Sequence, residues 1–224
     1  MLGVVLPELL PMRGFDQRNR HHNRDVLSHS AAAMEHMPPE SVLRLAALFH
    51  DVGKPELFTV DAQGVGHFYG HARRSAEIAD AIATRLRLDR ASRERIVTLV
   101  QHHALIIEPE PRAVKRALGR LTPEVFFQLL QLKRADNLAQ APEYHTRQSD
   151  YDRLEAIARE IIAEQQCFCL RDLAVNGNDL RKAGMQPGKA LGNALELLLS
   201  AVIDGSVANE KSALLAYLRD RGTL

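Results

Sequence analysis

A chain of 224 residues with 46% hydrophobic side chains can bury one good core, or a main core with a small appendage. Its apolar share is mostly Ala, Leu, Ile and Val, with 5% aromatics and no Trp, a mix that favours helices over strands and predicts an all-α fold. A net charge of +1 excludes a global basic field that would by itself attract nucleic acid, so any RNA partner has to be gripped locally.

Residues 1–24 mix Pro, Gly, Arg and Asn with a short apolar run and read as an irregular lead-in. The opening Met1-Leu2-Gly3-Val4-Val5-Leu6 is interrupted by Pro7, Glu8 and Pro11 and lacks a basic start, so it is not read as a secretion signal. No stretch approaches the roughly 20 apolar residues of a membrane crossing. A cytoplasmic protein with no membrane partner is expected. From Asp25, as cap, to Met37 the pattern is helical, closed by Pro38-Pro39. Ser41 is read as the cap of a second helix, Val42 to His50, apolar on nearly every side and therefore central in a bundle. Gly53 and Pro55 end it just past His50-Asp51. Residues 56–70 alternate around a Gly-rich turn and predict a short β-hairpin or ordered loop.

Helical patterns follow over 71–86, 90–103 and 112–118. Thr122-Pro123-Glu124 then opens a helix, by capping and first-turn proline, that runs through Asp136 to about Ala139. Asp150 or Tyr151 to Gln166 reads as another amphipathic helix. Cys167 and Cys169 lie too close for an ordinary disulfide and have no second pair to complete a zinc site, so reduced structural thiols are expected. Beyond Cys169 glycines punctuate short apolar helices, at 190–202 and 211–219, which reads as a separate small module. The expected parts are a lead-in over 1–24, a helical bundle over 25–170 and a tail module over 171–224.

Chemistry gathers at helix ends. His29 lies on the first core helix, His50-Asp51 at the exit of the second, and Asp136 near the end of the helix from Thr122; these can converge at one depth of a bundle. Imidazole and carboxylate donors without sulfur suit a divalent ion such as Mg, Mn, Fe, Ni or Zn. His71 and His103, also at helix ends, can join them and leave room for a second ion, the geometry that clamps attacking and leaving oxygens in phosphoryl chemistry. Lys54 is placed to meet a phosphate oxygen. The bland alternative is a capping and ion-pair arrangement at the helix end; His36, His67 and His145 are read as surface or structural histidines.

His29, then His50-Asp51-Val52-Gly53-Lys54-Pro55, then Asp136 within Lys133-Arg134-Ala135-Asp136-Asn137, resembles the HD-domain metal-dependent phosphohydrolases. The resemblance implies an HD-domain helical bundle in which His29, His50, Asp51 and Asp136 ligate one metal. Gly70-His71 and Leu99-Val100-Gln101-His102-His103 look like that family's two middle histidines, with His103 fitting the register better than His102. The activity expected of such a site is hydrolysis of a phosphomonoester or phosphodiester, on a phosphorylated small molecule, a nucleotide or an RNA-end phosphate, with Asp51 orienting or deprotonating water and with His71, His103 and Lys54 holding the phosphate or a second ion.

A wider resemblance spans nearly the whole chain. Leu9-Leu10-Pro11-Met12-Arg13-Gly14-Phe15-Asp16-Gln17, Phe58-Thr59-Val60-Asp61, Gly66-His67-Phe68-Tyr69-Gly70-His71 and the glycine-rich tail ending Asn209-Glu210-Lys211 look like the C-terminal half of bacterial CCA-adding tRNA nucleotidyltransferases. The head of that family, with its Gly-Ser motif and paired aspartates, has no counterpart in these residues, so nucleotide addition by them alone is not expected. The resemblance implies an alternative role as a tRNA-binding body. Arg112, Lys115, Arg116 and Arg120 share one helical face as RNA-contact candidates, and Arg181, Lys182 and Lys189 surround the tail glycines.

Overall fold

The computed structural model describes residues 2–18 and 24–224. In chain order these form α1 (Leu2–Val5), α2 (Val26–Glu35), α3 (Ser41–Phe49), β1 (Thr59–Val60), β2 (Gly66–His67), α4 (His71–Arg85), α5 (Arg90–His102), α6 (Pro111–Leu121), α7 (Pro123–Ala139), α8 (Gln148–Ala163), α9 (Gly177–Lys182), α10 (Lys189–Ile203) and α11 (Lys211–Arg219), with short 3-10 turns between. The all-α bundle with a two-stranded antiparallel hairpin is as expected; Thr59 pairs with His67 and Val60 with Gly66. None of the described helices is long and apolar enough to cross a membrane.

Two compact units divide the chain: Met1–Ile106 with Glu124–Asp152, and Ile107–Pro123 with Arg153–Leu224. This division differs from the parts expected at residues 24 and 170. The lead-in belongs to the first unit, because Leu9, Met12 and Gln17 are almost fully buried there; its residues 1 and 19–23 lie outside the described ones. Helix α6 joins the tail because its Gly119 lets the helix backbone meet the Phe168 carbonyl, a contact that any Cβ would block, and because Arg116 reaches Asp204 at 2.6 Å.

In the first unit α3 is the central helix, packed by α2, α4 and α5. Leu43, Ala46, Ala47 and Phe49 are buried, as its all-round apolar pattern requires. Asp25 caps α2 by accepting from the Ser28 amide at 2.6 Å, and its other oxygen accepts from the Gly14 amide at 2.7 Å, tying the lead-in to the bundle. Two expected caps differ. Glu40 precedes α3 without a side-chain cap, and Ser41 is already helical. Thr122 closes α6 instead of opening α7: its φ is +69° and its amide donates to Leu118 O at 3.0 Å. A β-branched residue at positive φ is strained, so the surrounding structure has to hold it there.

The second unit packs Leu173, Val175, Leu180, Ala194, Leu198, Leu214 and Leu218 around Cys167. Asn176 opens α9 with a reciprocal cap, its side chain accepting from Asp179 N while Asp179 accepts from Asn176 N. Burial and the nearby Asp172 push the Cys167 thiol up to about 11. The Cys169 thiol is also raised, by burial and by its hydrogen bond to Asp172. At pH 8 both sulfurs are therefore protonated and poorly nucleophilic. Mass spectrometry after brief iodoacetamide treatment of the folded protein is expected to find both sites largely unmodified; rapid labelling of Cys167 would contradict this reading.

Candidate metal centre

Five helix ends of the first unit meet around Asp51. Its position follows from two local devices. Gly53 does not use positive φ to stop α3, as its place in the sequence implied; its φ is −83°. Instead, a Cβ there would collide with Ser75 N and Arg74, so glycine permits a close approach to the start of α4. The Gly53 amide donates to Ser75 Oγ at 2.9 Å and pins the His50-Asp51 turn.

The carboxylate of Asp51, 1% exposed, has a different set of neighbours on each oxygen. Oδ2 lies 3.1 Å from His50 Nε2, 3.8 Å from His29 Nε2 and 2.7 Å from Lys54 Nζ. Asp136 completes that side, with Oδ1 at 2.9 Å from His29 Nε2 and 3.6 Å from His50 Nε2. Oδ1 of Asp51 faces the other way, 3.5 Å from His71 Nε2 and 3.6 Å from His103 Nε2. The structure thus brings together all four residues expected to ligate one metal and both histidines expected beside them. His29 and His50 are fully buried, whereas the Asp136 side chain keeps 26% exposure and marks the side open to solvent.

Three of the histidines are oriented alike. Nδ1 of His50 donates to Ala47 O at 2.7 Å, that of His71 to Phe68 O at 2.8 Å and that of His103 to Val100 O at 2.7 Å. A ring that donates from Nδ1 presents its Nε2 lone pair, as histidine ligands do when a carbonyl holds the opposite nitrogen. His50 Nε2 is buried and makes no well-aligned hydrogen bond, although Asp51 Oδ2 lies 3.1 Å away; a cation bound there would take the place of the proton that the carboxylates otherwise hold on this nitrogen. His71 Nε2 and His103 Nε2 face one another at 3.1 Å, where two lone pairs repel unless a proton or cation lies between. Donor separations of 2.9–3.8 Å on the His29 side match the ~3 Å spacing of neighbouring donors around an ion with bonds of about 2.1 Å. Among the described residues, His29, His50 and Asp136, and separately His50, Asp51 and His103, have ligand atoms close enough for a shared ion. The donor set therefore fits a hard or borderline divalent cation.

The charges agree. Burial alone would raise the Asp51 carboxyl, but His50 and Lys54 hold it well below the usual carboxylate range; His29 and His50 do the same for Asp136 against its own burial. A carboxyl so acidic is a poor proton acceptor, so Asp51 is suited to holding and orienting charge rather than to removing a proton. Burial pushes His71 down to about 4, against the pull of Asp51, leaving it neutral at pH 7. For His50 burial is outweighed by Asp51 and Asp136, and its value rises to about 10. Its folded value is above the unfolded one. The stability it contributes to ion-free protein is thus complete below about 6.5 and is lost as pH rises toward about 10. Melting of EDTA-treated protein is expected to fall over that window and to be restored by a divalent ion; a flat profile would count against the charge balance.

Lys54 is placed differently from its expected phosphate-facing role. It is 6% exposed and joins Asp51 to Gln17 Oε1 at 2.8 Å. Gln17 was not recognised as part of the site from its position in the lead-in, nor was Lys133. Burial lowers the Lys133 ammonium to about 8, and it donates to His103 O at 2.5 Å, fixing the end of α5. A polar residue in the Leu9–Gln17 run and a lysine inside the buried face of α7 were the available signals.

The RNA-contact candidates lie in the second unit. Arg112, Arg116 and Arg120 are exposed on α6, whereas Lys115 is half-buried and close enough to influence Cys167. Among the tail cations, Arg181, Lys182 and Lys189 are exposed.

Residues 82–218 match the family model described as "tRNA nucleotidyltransferase domain 2 putative". The chain is 34% identical to a CC-adding tRNA nucleotidyltransferase of Thermus thermophilus, over 99% of this chain and 51% of the relative. It is 30% identical to an A-adding tRNA nucleotidyltransferase of Deinococcus radiodurans, over 95% of this chain and 50% of the relative. A multifunctional CCA protein of Thioalkalivibrio sulfidiphilus is 29% identical over 87% of this chain and 46% of the relative. The chain spans about half the length of these relatives.

Proposed function

This chain belongs to the tRNA nucleotidyltransferase domain 2 family, and from that premise we propose that it is a tRNA-binding body. The observation that carries the reading is similarity along 99% of the chain to a relative named for adding CC to tRNA. Local charge supplies a physical means: with a net charge of only +1, contact depends on patches such as the exposed Arg112, Arg116 and Arg120. Phosphate contacts release counterions, so tRNA affinity is expected to fall steeply with salt. Replacing all three arginines by Ala is expected to lower the slope of log affinity against log salt by about two to three. Filter binding checks this. Absence of tRNA retention even at low salt overturns the reading.

The cluster around Asp51 favours a second activity in the same chain, metal-dependent hydrolysis of a phosphate ester. The tRNA reading directs it toward an RNA-end phosphomonoester or phosphodiester rather than a free phosphorylated small molecule. His29, His50, Asp51 and Asp136 would hold one divalent ion, and His71 and His103, with Asp51, have the donors for another. An ion held there supplies Lewis acidity toward phosphoryl oxygen and acidifies water. Asp51 holds negative charge between the two sets of histidines, Lys54 and Gln17 fix its orientation, and the partly exposed Asp136 and His71 border the side a substrate can approach. The test is ring opening of 2′,3′-cyclic nucleotides to nucleoside 2′- or 3′-monophosphates, and phosphate release from terminal RNA phosphates and a generic aryl phosphate, by metal-loaded protein. Lack of hydrolysis throughout this panel overturns the hydrolase reading and leaves the tRNA reading standing.

A further inference from the structure

The second unit contains a cleft that neither activity yet explains. It has a volume of about 600 Å³, within the size range of ligand sites, and is lined by residues of α6, the Phe168–Arg171 segment and α10. Leu170, Leu199 and Ile203 give it apolar surface, and Leu170 is 40% exposed. Arg116, Arg120 and Arg171 also line it, together with Glu196.

The arginines are unequally engaged. Arg116 pairs with Asp204 at 2.6 Å, and Arg171 has its chain neighbour Asp172 at 3.8 Å. Arg120 is exposed and has no hydrogen-bond or ion-pair partner among the described residues. Arg112, Arg116 and Arg120 recur at four-residue steps, ~6 Å apart along the helix, while Val114, Ala117, Leu118 and Leu121 bury the opposite face. The guanidinium of Arg112 lies beside Gly205, just past α10, and continues the cationic track away from the cleft.

An apolar slot flanked by arginines is complementary to a flat body with anionic groups attached, which is the chemistry of a base and the phosphodiesters on either side of it. Bases within an A-form duplex remain stacked and do not enter such a slot; an unpaired base does. We infer that this cleft receives an unpaired base from a single-stranded stretch of tRNA, with Arg120 and Arg171 meeting the adjacent phosphates. The inference rests on the tRNA-binding reading and adds to it a place where a base, as well as the backbone, is held.

Filter binding of a tRNA transcript to the full chain, at several salt concentrations, tests it with three variants. Arg120→Ala is expected to weaken binding about fivefold and to reduce the salt slope by about one. Ser200→Leu adds bulk to the lining of the cleft from an exposed helical position without changing charge, at the cost of the 3.3 Å hydrogen bond that Ser200 donates to Asp204. It is expected to weaken binding about tenfold while leaving the salt slope unchanged. Leu170→Ser, also at an exposed position, removes apolar surface and is expected to act in the same direction, with wild-type melting confirming that each variant is folded. If wild-type protein retains tRNA and both charge-neutral variants bind it unchanged, the cleft assignment is overturned and tRNA binding stands. If wild-type protein fails to retain tRNA at low salt, both are overturned.

Discussion

Asp51→Asn is expected to reduce divalent-metal affinity by at least about 100-fold and phosphate-ester hydrolysis by about 1,000-fold or more. The shape of the side chain is conserved, so the loss comes from charge. Asp51 Oδ2 sits among His29, His50 and Lys54, and Oδ1 faces His71 and His103, so one substitution removes the anion from both sets. A neutral amide takes away the carboxylate charge beside the buried Lys54 ammonium, leaving it the Gln17 oxygen and the face of the Phe68 ring, and withdraws the main support for the charged form of His50. Some stability is therefore lost too. Melting temperature, metal affinity and turnover should be measured together on the same preparation. Loss of turnover from protein that remains folded supports the assignment; hydrolysis at the wild-type rate by Asp51→Asn would refute it.

Gly119→Ala is expected to destabilise the second unit by about 2–3 kcal/mol, through steric overlap and not lost chemistry. The new Cβ would be driven into the Phe168 carbonyl oxygen, and both sides of that contact are backbone, so neither can rotate away. The chain has to separate α6 from the Phe168 segment or distort one of them. For a chain of this length the loss corresponds to a fall in melting temperature of roughly 5–10 °C. Gly192→Ala is the matched control: it lies inside α10 with nothing within 4 Å of the added carbon. Helix propensity predicts a gain of about 0.5–1 kcal/mol there. Similar melting of the two variants would show that the Gly119 contact is not tight.

Much of the first unit was legible because its signals are local. Asp25 caps α2 by a hydrogen bond to a neighbouring turn, and the nearly uniform apolar surface of α3 dictates a central place. The convergence of His29, His50, Asp51, His71, His103 and Asp136 was also readable, since each stands on or near a helix end. What was not readable depends on contacts distant in sequence. Gly53 resembles a helix terminator until Ser75 is seen against it. Lys54 reads as a phosphate ligand until Gln17, 37 residues earlier, accepts from its ammonium. Helix α6 follows the first bundle in sequence, yet Gly119 and Arg116 join it to Phe168 and Asp204. The division of the Asp51 oxygens between two histidine sets is likewise a matter of rotamer, which no spacing encodes.

The most direct test of the account is calorimetric titration of chelator-treated full chain with Mn²⁺, Ni²⁺ or Zn²⁺, in parallel with His50→Ala and Asp51→Asn. The account predicts saturable uptake of one or two ions per wild-type chain, with proton release at neutral pH as His50 gives up its charge, and loss of that uptake in both variants. Wild-type protein that takes up no more metal than Asp51→Asn would contradict it.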